Sequence, residues 1–141
     1  ERVTVNIVGR GYDEYKRDIV NFEHVVIRFA GEVSNMDSEY SDMDLIFSTS
    51  STEGFPNVIA EAMGFGVLPL CSDAGDSLFV AGDYGIPLLS LAPCDIYRSF
   101  QAAKLRLNAG NSADLRSSAY TRFGQQKAND MYMALWEELT L

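Results

Sequence analysis

The chain is short of positive charge. Lys and Arg total 11 against 20 Asp and Glu, a formal net charge of -9 over 141 residues. Nucleic-acid backbones and anionic membrane surfaces demand clustered cations, so this balance excludes both as partners. Any phosphate bound here must be held locally, by backbone amides and one or two side chains. Histidine occurs once, at position 24. His24 precedes a strand pattern without a partner acid in register and reads as a surface residue. Cysteine occurs twice, as Cys71 and Cys94. Neither has metal-type spacing, and both sit among apolar neighbours. They read as buried free thiols, consistent with a reducing, cytoplasmic setting. No apolar run is long enough to cross a bilayer. Asp13, Glu14, Asp42 and Asp44 lack the pattern of a metal centre and read as a solvated rim.

What the chain does have is a repeated alternation of apolar runs and helical patterns. With 47% hydrophobic residues at this length, one packed domain over residues 1–141 is expected. Val3–Val8 reads as a buried β-branched strand ending in Gly9-Arg10-Gly11. A helix is predicted over Tyr12–Asn21 and a second strand over Val25–Ala30, stopped by Gly31. A short polar helix at Ser38–Met43 leads to a third strand, Leu45–Ser48. The turn formers Ser50–Pro56 follow, then a helix over Asn57–Gly64 with Pro56 and Asn57 as start signals. Strands at Val67–Cys71 and Gly85–Leu89 contain Pro69 and Pro87, which favour edge or strand-start positions. Helices over Asp95–Asn108, Ser112–Phe123 and Gln125–Leu139 close the chain. In the first of these, Ile96, Phe100, Ala103 and Leu107 share a face. The wider row Phe100, Leu107, Tyr120, Phe123, Tyr132, Leu135 and Trp136 reads as helix packing, part of it turned toward a domain outside this chain.

Nearly all-apolar strands alternating with helices imply an α/β fold with a doubly wound parallel sheet and a helical C-terminal tail. Ligands of such sheets bind beyond the carboxyl ends of the strands. The loops there are Gly9–Gly11, Gly31-Glu32-Val33, Ser50–Asn57 and Ser72–Gly75. In the third, Glu53 stands beside Gly54, which admits close backbone approach, and before a helix start whose free amides favour an anion. A carboxylate in that place fits sugar hydroxyls, which donate paired hydrogen bonds to it. Glu61, about one turn into the helix, is placed to hold a second diol such as a ribose. Taken singly, the two acids would read as solvated; their place in the segment favours the functional reading. Gly9-Arg10-Gly11 could be only a tight turn, and Ser50 could be only a turn cap.

Glu53-Gly54-Phe55-Pro56-Asn57-Val58-Ile59-Ala60-Glu61 resembles the E-x7-E motif of retaining GT-B glycosyltransferases of family 4. The resemblance runs along most of the chain. Val5–Gly11 is similar to the family's "xIVGxG", Val26–Val33 to "VxFxGxV" and Tyr40–Asp44 to "YxxAD". Ser50 occupies the serine of "S-x-x-E-G". Val67–Gly75 is similar to "GxPVVxSDxGG" and Gly82–Gly85 to "DGxxG". The resemblance implies the Rossmann-like C-terminal domain of such an enzyme, binding a UDP-, GDP- or ADP-sugar donor as substrate with no cofactor and no metal. It implies that Glu53 contacts hydroxyls of the transferred sugar and is the catalytic residue of the site. Gly54, Phe55, Pro56 and Asn57 would lie near sugar and diphosphate, Pro56 offering no donor. Glu61 would grip the ribose, Glu32 and Val33 would meet the base through their backbone, and Gly9, Gly11 and Ser50 would line the cleft. Val58 and Ile59 would pack near the nucleoside.

Two departures stand out. The second glycine of "DxGG" is Asp76, and the acid that often follows is Phe79. The family's phosphate-binding Arg and Lys belong to a βα unit ahead of the "IVGxG" strand. The near-immediate first strand is therefore expected to be preceded by that unit and by an acceptor-binding domain for a glycan, lipid or small molecule. Polysaccharide assembly at the cytoplasmic face of a membrane is the setting the resemblance suggests. A GT-B-type sugar-nucleotide epimerase and a non-catalytic nucleotide-binding or interaction module remain as alternatives.

Overall fold

The computed structural model describes residues 2–12 and 23–140. The helix expected over 12–21, with Asp13 and Glu14, lies outside the described residues apart from Tyr12. The chain divides into two compact units, residues 1–39 and 40–141.

The first unit contains β1 (Val3–Val8) and β2 (Val25–Gly31), paired in parallel from Val3↔Val25 to Val8↔Gly31 with an irregularity between Ile7 and Val8. β-branched residues suit both strands. Burial is incomplete: Val3 and Val5 keep 49% and 39% of their surface. The strand expected to be buried is exposed over its first half and only half-buried over its second, because among the described residues this ladder has two strands and no third beside it.

The second unit holds α1 (Asp37–Ser41), which begins in the last residues of the first, and β3 (Leu45–Ser48), α2 (Asn57–Gly64), β4 (Leu68–Ser72), α3 (Ser77–Ala81), a 3₁₀ turn at Gly82–Tyr84, β5 (Ile86–Leu88), α4 (Pro93–Asn108), α5 (Ser112–Phe123) and α6 (Gln125–Thr140). Its strands run parallel in the order β3-β4-β5. Parallel ladders require crossover helices, and α2 and α3 provide them. β4 is central and apolar up to Ser72, and Leu70 and Cys71 have no exposed surface. Around it pack Ile59 and Met63 of α2, Val80 and Ala81 of α3, Ile86 and Leu88 of β5, Ala103 of α4, and Leu115 and Ala119 of α5. Full burial of each large apolar side chain contributes about 1.5–3 kcal/mol.

Pro69 lies in this central strand rather than at the sheet edge. It is tolerated because it pairs with Ile46 alone, β5 beginning one residue later opposite Leu70, so that the strand is locally an edge there. In α4 the buried residues are Ser99 and Ala103, whereas Phe100 and Leu107 are 37% and 39% exposed. Small side chains let the helix approach β5, and the Ser99 hydroxyl donates to the Pro87 carbonyl at 3.0 Å. The larger residues are displaced to the flank, where Phe100 meets Phe47 at 5.4 Å. The aromatic row of the tail is mostly exposed. Tyr132, Leu135 and Trp136 all keep more than half their surface, and none of the described side chains of α6 belongs to the core, since its main contact is with α5.

Three arginines fasten the helical tail to the sheet layer by capping carbonyl groups. Arg116 donates to Phe65 O beyond the end of α2 at 2.9 Å, and Arg106 to Asp83 O at 2.9 Å. Arg122 donates to Val80 O at 2.9 Å and Phe79 O at 2.5 Å. Helix C-terminal carbonyls lack intrahelical partners and gain from cationic donors.

The two thiols differ. Cys71 is buried as expected, but Cys94 is exposed, because it stands opposite the inward stripe of α4. Burial, followed by the nearby Asp73 charge, pushes the Cys71 thiol from 9.0 up to about 11. Since the folded value lies above the ordinary one, the resulting stability is fully present below pH 9.0 and is lost as pH rises toward about 11. A thiol reagent at pH 8 is therefore expected to modify Cys94 alone in the folded protein, and both cysteines in denaturant. Rapid native labelling of Cys71, read by peptide mass spectrometry, would contradict its burial.

Candidate functional site

Two loop clusters form at the carboxyl ends of the strands, one in each unit. In the first, the Gly9 amide donates to Gly31 O at 2.7 Å, tying the two strand ends together. Gly9 and Gly11 adopt φ of 128° and 85°, conformations that only glycine takes readily. The result is a hollow of about 270 Å³ lined by Gly9, Arg10, Gly11 and Tyr12 from one loop and Phe29–Glu32 from the other. Arg10 forms an ion pair with Glu32. Both side chains are largely exposed, so the pair contributes little to stability. The sequence pattern placed Gly9, Gly11 and Glu32 together, and the structure does the same. Val33 is half-buried and does not line the hollow.

In the second unit the Ser50–Asn57 loop follows β3 and lies against the Ser72–Asp76 turn after β4. The Ser72 hydroxyl donates to Ser50 O at 2.5 Å, and the Asp76 amide to Gly54 O at 3.2 Å. The Ser50 hydroxyl itself makes no hydrogen bond within the described residues. The tightest approach is at Gly75, φ 53°, where an added Cβ would stand 2.0 Å from Glu53 O. Backbone thus meets backbone directly behind Glu53. Pro56 is buried and caps α2 without a side-chain bond. The Asn57 amide donates to Phe55 O at 3.0 Å. Among the described residues, the amides of Gly54, Phe55 and Val58 have no partner. The Asn57 amide was expected to lie near sugar and diphosphate, but it is turned back into its own turn, and the Val58 amide is left unpaired among the described residues.

Glu53 is half-buried, and Glu61 is exposed on the outer face of α2. The Glu61 carboxylate accepts a 3.0 Å hydrogen bond from the hydroxyl of Tyr40, a residue 2% exposed. Tyr40 is a contributor that reasoning on acids and glycines missed; its signal was the tyrosine of the "YxxAD"-like segment. Replacing it by phenylalanine removes one hydrogen bond to a charged but exposed partner. We expect Tyr40→Phe to lower stability by about 1 kcal/mol, read as a shift in the urea midpoint at unchanged slope. Ile59 has no exposed surface and belongs to the core, which corrects its expected place near a nucleoside; Val58, 47% exposed, is free to fill it. Phe79 is 66% exposed. Among the described residues no group of three His, Cys, Asp or Glu side chains is arranged to hold a metal, and no helix is long and apolar enough to cross a membrane.

Residues 1–108 match the model of the family "Glycosyl transferases group 1". The chain belongs to that family. No curated protein matches its sequence significantly. Among solved structures, this group 1 glycosyltransferase chain is similar to HepE of Anabaena in complex with UDP, at 20% identity and a TM-score of 0.70, over 93% of this chain and 41% of that one. HepE with UDP-glucose gives 19% identity and 0.64 over 92% and 41%. A chain of the GtfA/B complex gives 21% and 0.66 over 96% and 29%. At such identities the likeness concerns the fold, a parallel α/β domain with helical C-terminus like those of GT-B glycosyltransferases. This chain spans less than half the length of each of these structures.

Proposed function

We propose that this chain is the donor-binding part of a retaining glycosyltransferase that moves a hexosyl group from a nucleoside diphosphate sugar to a glycan, lipid or small-molecule acceptor. The observation that carries the reading is the Glu53–Val58 segment. Unpaired amides of Gly54, Phe55 and Val58 flank a half-buried carboxylate, on a loop fixed from behind by Gly75 and Asp76. Amides in that array stabilise a diphosphate, and Glu53 accepts hydrogen bonds from sugar hydroxyls. Glu61, oriented by Tyr40, accepts from the ribose. In the first unit, Gly9, Gly11, Glu32 and the Val33 backbone are assigned to donor binding by the family resemblance alone, and in the second Ser50 shapes the cleft.

In the proposed reaction the bond from the anomeric carbon to the diphosphate breaks as the acceptor oxygen forms its bond on the same face. The acceptor proton passes to a diphosphate oxygen, so that configuration is retained without a protein nucleophile. No metal or cofactor takes part. Charge growing on the departing diphosphate is met by amides already oriented, which need no reorganisation at the moment of reaction. Work on polysaccharide at the cytoplasmic face of a membrane fits this chemistry, with the acceptor bound by a further domain.

The test is calorimetric titration of the full-length protein with UDP-, GDP- and ADP-sugars, followed by NMR of the product. One base class is expected to bind at least about tenfold more tightly than the others, a difference of ~1.4 kcal/mol, and the product is expected to keep the donor's anomeric configuration. Absence of binding to all three would leave a non-catalytic module. Alteration of the donor sugar without an acceptor would mark an epimerase.

A further inference from the structure

We propose that Phe123, at the end of α5, is a positioning residue that sets the conformation of the Glu53–Val58 segment through Phe55. The inference rests on the donor-binding reading of that segment. Phe55 is held by the chain on both sides, yet the residue remains 44% exposed. The Phe123 ring meets it edge-on, with centroids 5.4 Å apart and planes at 75°. This is the geometry in which the positive edge of one ring faces the negative face of the other.

Phe123 is itself anchored. The Arg122 guanidinium lies 4.6 Å from the Phe123 ring and 5.4 Å from the Phe79 ring, and it donates to Val80 O and Phe79 O at the end of α3. α3 follows Asp76, whose amide holds Gly54 O. The contacts therefore close a circuit from Gly54 through Asp76, α3, Arg122 and Phe123 back to Phe55. At Gly82 an added Cβ would stand 2.7 Å from the Arg122 guanidinium, so that glycine leaves room for the anchor. Two of the unpaired amides, those of Gly54 and Phe55, lie on the arc that this circuit braces. Phe79, which stands where similar sequences carry an acid, serves here as a face for the arginine. The helical tail thus reaches the donor loop through one ring contact, and no residue of the tail need touch the ligand.

The experiment compares Phe123→Leu, which keeps apolar volume, with Phe123→Tyr, which keeps the ring. Phe100→Leu is the control, removing the similar ring pair with Phe47. Amide hydrogen exchange in the full-length protein without ligand is the first readout. Phe123→Leu is expected to speed exchange of the hydrogen-bonded amides that depend on this loop, those of Asn57, Ile59 and Asp76, about five- to tenfold and leave β4 unchanged; Phe123→Tyr should restore the wild-type rate, and Phe100→Leu should leave it alone. Equal exchange in Phe123→Leu and wild type, or the same acceleration in Phe100→Leu, overturns the proposal. The second readout is affinity for the free nucleoside diphosphates UDP, GDP and ADP. Weakening of about five- to tenfold in Phe123→Leu alone supports the inference. Undiminished affinity overturns it while leaving the donor-binding reading intact. Absence of binding by the wild type defeats the donor-binding reading, and the exchange rates then decide the loop contact by themselves.

Discussion

Gly75→Ala is expected to cost about 2–5 kcal/mol, from the left-handed backbone and the overpacking together. The new Cβ would stand 2.0 Å from Glu53 O, 2.7 Å from Glu53 C and 3.1 Å from Gly54 O, at a φ of 53°. None of these atoms belongs to a flexible side chain. The Glu53–Gly54 backbone cannot retreat without drawing on buried Pro56 and the start of α2, and the Gly75 turn cannot retreat without breaking the Asp76 amide bond to Gly54 O. The loss should appear as a fall in melting temperature of roughly 10 °C or more, with donor binding lost in parallel. Gly54→Ala makes a sharp control. Its φ is not in the positive region, and its Cβ would meet nothing within 4 Å. It should melt with the wild type. Should it also weaken donor binding, the open space beside Gly54 is ligand space. A wild-type melting temperature for Gly75→Ala would show that the two loops are not wedged together as described.

Glu53→Gln is expected to lower kcat by about 10²–10³ in the full-length protein, the loss seen when one preorganised group acting on the developing charge is removed. The side chain keeps its size and loses its charge. The Glu53 carboxylate makes no hydrogen bond or ion pair within the described residues, so the fold has no stake in it. Melting temperature should stay within about 1 °C, because surface changes that break no contact fall within ±0.5 kcal/mol. That separation of activity from stability is the decisive feature. Glu61→Gln should behave differently: on the proposed reading the ribose is gripped equally before and during reaction, so KM should rise about tenfold while kcat changes little. Near-normal turnover in Glu53→Gln would remove the role given to that acid, and a large drop in its stability would make it structural.

Much of this molecule can be read from local pattern. Val3–Val8, Leu45–Ser48, Asn57–Gly64 and Ser112–Phe123 fold over the ranges their residues suggest, since β-branched runs and helix start signals act over a few neighbours. The order of loops at the strand ends follows from the parallel alternation. So does the pairing of Gly9–Gly11 with Gly31-Glu32, because a parallel register places the two ends side by side. What local pattern misjudged depends on packing partners. Phe100 and Leu107 share the apolar period of α4, yet small Ser99 and Ala103 take the inward position because close approach to β5 favours them. Cys94 and the aromatics of α6 have apolar neighbours in sequence, yet Cys94 is exposed and Tyr132 and Trp136 keep most of their surface.

Local pattern set the alternation of strands and helices, the parallel sense of the pairing, and which loops stand at the carboxyl ends of the strands within each unit, because period and turn chemistry act between near neighbours. Packing in three dimensions is what seats the Glu53 backbone on Gly75, brings the Tyr40 hydroxyl to Glu61, and turns the Asn57 amide into its own turn while the Val58 amide stays unpaired among the described residues. Those facts join residues up to 22 positions apart, from Glu53 to Gly75. Which atoms meet across that separation is fixed by how the elements pack, and no spacing rule along the chain encodes it.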